Sequence, residues 1–487
     1  MYKISLSPYA RIFYTEWKLN PTRSDYNIVF DQTLEGKIEK ERLNNAIKRF
    51  ISHYVILNSH IQESEEELYW IKNKVIHNLE YFKKKLTNKQ ILSCIQNPFN
   101  LKSGPLYRFM LIKDNNIHRL IVVFHHIVLD GLSFDYFCNE LSNYYNNKQY
   151  NNYPSIEEQI LSISSLSKSL SEYIKLRKEE SKEFWKTKLS SIEPINLSFL
   201  KSRNKQNNSL IKIDQKLKLS IQQLSKINEL RFSFSKKTLN KLNYLAITPY
   251  MYGQLIYAFL LYKYTGQEKF CINFPVSINK GKDFIYGAQI NTSIMVYDFN
   301  KVSNPIDILN QCKEFLSSIK TNINHSYLPI YDIISVSHKD ILNLQFIQTS
   351  LKDEVFKFNG IQATINRETS IDLTNILLFE HEIRNLKINY RVRYNSNNID
   401  IKLLKEFIKC YKKLFIEVLS ELLKSNTIKG LSSLKNYQIL SNQQYQQIIY
   451  DWNATDKEYP RDKTIHALFE EQVARTPDNI ALVYEDI

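Results

Sequence analysis

Two apolar runs placed close together constrain this chain more than any other stretch. Leu106 to Ile112 (LYRFMLI) and Arg119 to Ile127 (RLIVVFHHI) flank the polar triplet Asp114-Asn115-Asn116. Apolar runs separated by a few turn-forming residues read as two strands joined by a short polar turn. After Asp130-Gly131, Phe134, Phe137, Leu141 and the Tyr144-Tyr145 pair recur at helical spacing, so a helix begins just past the glycine. The alternation continues along the chain. Glu39 to Ile51 puts Leu43, Ile47 and Phe50 at core spacing on a helix. YGQLIYAFLLYKYTGQ is a long apolar helix closed by Gly266, FCINFPVSI is a strand, and Leu403 to Leu423 is a late amphipathic helix. Strands alternating with helices predict an α/β fold.

A chain of 487 residues spans roughly two to four domains. Its 43% apolar content is ample for large cores. The net charge of +15 would suit an acidic partner, but Lys, Asn, Ile and the 32 Tyr are spread everywhere and the charge forms no stripe. Lys83-Lys84-Lys85 therefore reads as a solvated helix face, and no nucleic-acid partner is expected. Cys94, Cys138, Cys271, Cys312 and Cys410 are scattered with no CxxC, which fits a reducing cytoplasm and argues against a zinc ribbon. The opening MYKISLSPYA lacks an apolar signal region, and the apolar stretch Leu255 to Leu261 is too short for a bilayer, so no membrane partner is expected. Ser162 to Leu189 reads as a polar helix, and Lys201 to Ser209 as a loose connector. The late stretch WNATDKEYPRDKT loses periodicity and reads as a linker, extended at Tyr459 before Pro460. Beyond it, Thr464 to Arg475 has helical spacing.

The second run ends in two adjacent histidines, in a chain that has ten. Side chains alternate across a strand, so extended backbone points His125 and His126 to opposite faces. One metal ion does not easily reach both, and no metal site is expected. A neutral imidazole at a strand end can act as a general base near neutral pH. The spacer Ile127-Val128-Leu129 brings Asp130 back toward that end, to orient an imidazole or brace the loop. Gly131 either clears room for a substrate arm or permits a positive φ. On spacing alone, a structural histidine pair beside an Asp-Gly turn stands level with the catalytic reading.

HHIVLDG resembles the HHxxxDG motif of nonribosomal peptide synthetase condensation domains. The resemblance places His126 at the catalytic position and His125, Asp130, Gly131 and Ser133 in the supporting motif, with Asp130 structural and Leu132 where a Trp is common. YGAQINTSI is similar to the GxFVNT segment, which makes Gly287, Asn291 and Thr292 candidate tunnel residues. YKYTGQEKFCINFPVSIN resembles a helix-TGQ-strand step, and EFWKTKL an aromatic-Trp-x3-Leu step. HSYLPIYD is similar to HQDxPFE through His325 and Pro329, and SIDLT to the FDL step at Asp372-Leu373. Departures are visible. LSPYARIFY is a poor SxAQxRLW, and SHKDILNLQF lies where RDxSRNPL should be. In HYVILNSHI, Asn58 stands where the arginine credited with bracing the motif aspartate should be, which makes Asn58 a further tunnel candidate and leaves the partner of Asp130 open. WNATDKEYPRDKTIHALFEEQVARTPDNIALVYED resembles the linker and opening of an adenylation domain, far short of an ATP site.

The resemblance implies two chloramphenicol-acetyltransferase-like lobes in a V-shaped pseudo-dimer, residues 1–180 and 181–448, followed by 449–487 as linker and truncated adenylation start. It implies a cytoplasmic acyltransferase with no cofactor bound to the chain. Donor and acceptor peptidyl carrier proteins would each send a phosphopantetheine arm into a tunnel between the lobes, and an adenylation domain would follow downstream. There the acceptor amine attacks the donor thioester carbonyl and an amide forms, with His126 taking the amine proton or positioning the amine. With Met1 native, the donor would arrive in trans. The alternatives are a starter domain or acyl-CoA-dependent N-acyltransferase using a fatty acyl donor, and a non-catalytic carrier-docking module. Heterocyclisation would need Asp in place of the first histidine, and no second motif suggests epimerisation.

Overall fold

The structure is a computed structural model that describes residues 2–24, 26–65, 67–115, 117–130, 133–148, 153–201, 227–277, 286–321, 344–348, 355–366, 377–395, 398–424, 433–480 and 482. The chain forms two compact units, Met1–Tyr437 and Gln438–Ile487.

The first half of the larger unit begins with β1 (Lys3–Ser5), α1 (Pro8–Leu19), β2 (Asn27–Glu35), α2 (Lys40–His53), β3 (Ser59–Ser64) and β4 (Glu67–Lys72). It continues with β5 (Glu80–Phe82), α3 (Asn88–Gln96), β6 (Tyr107–Asp114), β7 (Ile117–His125), α4 (Ser133–Tyr145) and the long α5 (Ile156–Leu189). The second half holds β8 (Ile227–Phe234), α6 (Lys236–Tyr244), α7 (Pro249–Thr265), β9 (Lys269–Ser277), β10 (Ile290–Asp298) and α8 (Pro305–Thr321). It ends with β11 (Leu344–Gln348), β12 (Gln362–Ile365), β13 (Leu377–Arg384), β14 (Lys387–Asn395) and α9 (Ile401–Lys424).

Among the described residues the strands form three sheets, ordered β1-β4-β3, β12-β2-β7-β6-β5 and β10-β9-β11-β13-β14-β8. The apolar hairpin lies where its composition demands. β7 runs antiparallel between β2 and β6, and Leu120 through Phe124 are 0% exposed, so both faces of the strand are covered. Against this core pack Leu43, Ile47 and Phe50 of α2 and Phe137 and Leu141 of α4. The apolar helix α7 starts with Pro249 after a Thr248 cap and stops at Gly266, whose φ of 66° is the left-handed conformation glycine tolerates. It lies buried beside α9 and α8.

Two placements differ from the sequence reading. Lys83 and Lys84 lie in a bend after β5 with Lys85 beyond it, not on a helix; all three are exposed, and Lys85 pairs with Asp114 at 2.7 Å. β12, although inside the stretch assigned to the second lobe, pairs antiparallel with β2 in the first lobe's sheet. Around it Phe356 N–H donates to Gln32 Oε1 (3.0 Å) and Lys357 N–H to Ser142 Oγ (2.8 Å). The added strand covers the edge β2 would otherwise expose. The expected connector at Lys201–Ser209 lies outside the described residues except for Lys201 itself, as do His325, Pro329, Asp372 and Leu373.

The smaller unit holds α10 (Asn442–Ile449) and α11 (Ile465–Arg475), the latter capped by Thr464 as its spacing predicts. No residue of either helix is buried.

Candidate active site at the end of β7

The site is built where β7 runs out of ladder. His125 is the last residue of the strand and pairs with Asn27 of β2. One residue on, His126 N–H donates to Tyr26 O at 2.7 Å, and Val128 N–H returns to His125 O at 3.0 Å, which closes a turn. Asp130 then accepts at Oδ1 from both the backbone N–H (3.0 Å) and the hydroxyl (2.7 Å) of Ser133, the first residue of α4. An acceptor at a helix start satisfies donors that the helix itself leaves free, so Asp130 locks the loop to α4.

The two histidines have different surroundings. His125 is buried, and its Nδ1 accepts from Ile127 N–H at 3.2 Å. Burial, helped by the nearby His126, Arg23 and Arg108, pushes its pKa down to about 3, so the ring stays neutral and serves the turn. His126 is half-buried. Burial lowers its imidazole below the usual value, opposed by its own backbone carbonyl, the Asp130 carboxylate and the Leu129 carbonyl. A neutral imidazole near pH 7 can accept a proton. Its Nδ1 is buried with no hydrogen-bond partner among the described residues. The ring stacks instead on Phe13 of α1, with centroids 5.3 Å apart and planes 28° from parallel.

The second half of the chain reaches this loop through Tyr286–Gln289. Ala288 N–H donates to Ile127 O at 3.0 Å, and Gln289 N–H to Asp130 Oδ2 at 3.3 Å. The Tyr286 hydroxyl donates to Glu140 of α4 at 2.8 Å, and its ring meets Tyr54 edge-on at 4.5 Å. Gly287 has a φ of 128°, a conformation open only to glycine without strain, and it lets the segment turn in against Ile56 and Ile127. Burial pushes Glu140 up to about 7, although the Tyr54 and Tyr286 hydroxyls hold it down.

The expected residues thus divide. His125, His126, Asp130 and Ser133 form one loop, with Gly287 beside it; Gly131 lies outside the described residues. Asn291 and Thr292 follow in β10, where Asn291 Oδ1 accepts from Thr292 N–H at 2.9 Å. Asn58 is buried, but among the described residues it makes no hydrogen bond to Asp130; its carbonyl accepts from Asn73 N–H at 2.9 Å. Ser133 and the Gln289 backbone amide hold the aspartate. Sequence reasoning missed Gln289, because a backbone donor leaves no mark in residue type. It also missed Phe13, Tyr286 and Glu140. The weak LSPYARIFY match hid Phe13, while Tyr286 directly precedes Gly287 and was within reach. Among the described residues no group of three or more His, Cys, Asp or Glu side chains could hold a metal ion.

Comparisons with known proteins bear on the family and the fold. Gramicidin S synthase 2 of Aneurinibacillus migulanus is 25% identical over 94% of this chain, and bacitracin synthase 1 of Bacillus licheniformis 24% identical over 99%. The chain spans about a tenth of the length of these relatives, 10% and 9%. Among solved structures, the starter condensation domain of rhizomide synthetase superposes with a TM-score of 0.66 at 14% identity, covering 91% of this chain and 100% of that one. A four-domain nonribosomal peptide synthetase bound to AMP and glycine gives a TM-score of 0.73 at 13% identity, covering 98% of this chain and 37% of that one. The fold is thus the two-lobed, chloramphenicol-acetyltransferase-like α/β architecture. The sequence profile of the Condensation domain matches residues 2–449. With the histidine loop at the end of β7, that match establishes that the chain belongs to the condensation-domain family, the amide-forming acyltransferase domains of nonribosomal peptide synthetases.

Proposed function

We propose that this chain forms an amide bond between a carrier-bound donor acyl thioester and the amine of a carrier-bound aminoacyl thioester, with His126 as its catalytic residue. The reading rests chiefly on His126: an imidazole just past a strand end, kept toward its neutral form by burial, with Nδ1 buried, so that Nε2 is the nitrogen proposed to meet the substrate. The acceptor nitrogen attacks the donor carbonyl carbon, the N–C bond forms and the C–S bond breaks. His126 Nε2 takes the amine proton, and the departing sulfur leaves as a thiol once a proton reaches it. Holding both thioesters in line supplies further rate through effective molarity. The phosphopantetheine arms belong to the carriers, and the chain itself needs no bound cofactor.

Within this reading the lobes are residues 1–180 and 181–448, with β12 lent by the second to the first. Residues 449–487 are the linker and start of an adenylation domain. That assignment is supported by a family match ending at residue 449 and by fuller coverage against the four-domain synthetase, 98%, than against the single starter domain, 91%. The site is expected to work in the cytoplasm, and among the described residues no helix is long and apolar enough to cross a membrane.

The test is the intact mass of an acceptor carrier incubated with this chain and candidate donors. The proposal expects the acceptor to gain one acyl group from a carrier-bound donor, and the gain to vanish with His126→Ala. Saturable transfer from a CoA thioester, with none from any loaded carrier, would overturn it in favour of an acyl-CoA-dependent acyltransferase. Equal transfer by wild type and His126→Ala would remove the catalytic role of His126.

A further inference from the structure

We infer that Phe13 is the residue that positions the His126 ring, in place of a hydrogen bond to the imidazole; this rests on the catalytic reading of His126 above. A histidine working as a base is ordinarily oriented by a partner on its second nitrogen. Here Nδ1 is buried and makes no well-formed hydrogen bond among the described residues, with only its own and the Leu129 backbone carbonyls near enough to favour the protonated ring. Asp130, the acidic group nearest in sequence, spends its oxygens on Ser133 and the Gln289 amide. The ring plane is therefore set by packing, and Phe13 lies against its face at 5.3 Å and 28°. Offset stacking of this kind restricts ring rotation and keeps water off one face.

Phe13 is itself held. Tyr26 meets it edge-on at 4.8 Å, and the Tyr26 backbone carbonyl accepts from His126 N–H at 2.7 Å. The Tyr26 hydroxyl bonds Glu16 of α1, which also pairs with Arg23 at 2.8 Å, and the Arg23 guanidinium lies over the Tyr26 ring at 4.8 Å. α1 therefore carries both Phe13 and, one turn on, the carboxylate that fixes the aromatic neighbour of Phe13. The charged and titratable groups around the histidine pair are Asp130, Glu16, Tyr26, Arg23 and Arg108. Of these, Asp130 pulls the His126 pKa upward against burial.

Two readouts separate this role from plain packing. The first is the titration of His126, followed by NMR on histidine-labelled protein, with the signal assigned by its loss in His126→Gln. It needs no turnover, so it remains decisive if the amide-forming reading fails. Phe13→Ala should raise the His126 pKa by about 0.5 units or more, because water regains the ring face. The second is amide formation, which should fall about 10- to 100-fold in Phe13→Ala, mainly in kcat. Phe13→Leu keeps the volume and guards against simple misfolding; it should titrate between Ala and wild type. Phe13→Tyr keeps the ring and should restore both readouts. An unchanged His126 titration in Phe13→Ala would overturn the inference, as would a loss of turnover that Phe13→Tyr does not rescue. Wild type without amide formation but with the shifted titration would sink the functional reading and leave the positioning role standing.

Discussion

The first half of the chain holds His126 just past the end of a central strand and the second buries His381 within one, and the contrast bears on the catalytic role proposed for His126. His381 lies within β13, between β11 and β14, at 0% exposure. Tyr390 and Tyr250 face it edge-on at 5.4 and 6.0 Å, and burial pushes it down to about 4. His126 is also lowered by burial. The difference is place. β13 pairs on both sides of His381, with Gln348 and Tyr390, whereas β7 ends one residue before His126. A ring beyond the last ladder residue can turn toward a ligand; one in mid-strand under a helix layer cannot. A depressed pKa is shared by both and decides nothing.

Four experiments break or sharpen that contrast. The largest effect belongs to His126→Ala, which should cut amide formation by roughly 10²–10⁴-fold with the melting temperature unchanged. In the other lobe, His381→Ala should lower stability by about 1–3 kcal/mol in denaturant titration and leave turnover of the folded protein unchanged. Strong loss of activity in that variant would refute the argument from place.

The second concerns Glu140. Its folded pKa, about 7, stands above the ordinary carboxylate value of 4.5, so the folded state holds a proton that the unfolded chain releases. That stability is fully present below about pH 4.5 and is lost as pH rises through about 7, by up to about 3 kcal/mol. Glu140→Gln should flatten this part of the stability profile in urea titrations run at several pH values. An unaltered slope would show that burial does not hold the carboxyl neutral against the Tyr54 and Tyr286 hydroxyls.

Third, Asp130→Ala should both inactivate and destabilise, at about 1–3 kcal/mol, because it strands the Ser133 and Gln289 donors. Melting temperatures equal to those of His126→Ala would remove Asp130 as the lock between the lobes. The smallest effect is expected from deleting residues 456–487. No site residue lies there, and turnover with free carriers should not change. Abolished turnover with the rest still folded would make the tail part of the catalytic unit.

Much of this protein was legible in its residues. The hairpin of β6 and β7, the core face of α2, the Tyr252-to-Gly266 part of α7 and the helix beyond Thr464 all follow from local patterns, because apolar period and cap chemistry act within a few residues. The histidine loop was legible too, as residue types at fixed spacing. β12 was not. Its four residues, Gln-Ala-Thr-Ile, are half-buried or exposed and carry no signal for a sheet more than three hundred residues away in sequence. The exposed Lys83–Lys85 run reads as a helix face only if a helix is there, and the chain bends instead.

What the sequence determined by itself is the chemistry at hand: an imidazole at the end of an apolar strand, an aspartate four residues on, and a glycine where the second half must turn in. What only the tertiary structure decided is how those groups are held. The motif aspartate is bound by a backbone amide from the other lobe, and the imidazole lies against a phenylalanine from the first helix. Neither partner is encoded near its target, because a backbone donor has no residue identity and a ring stack depends on where two distant elements come to rest.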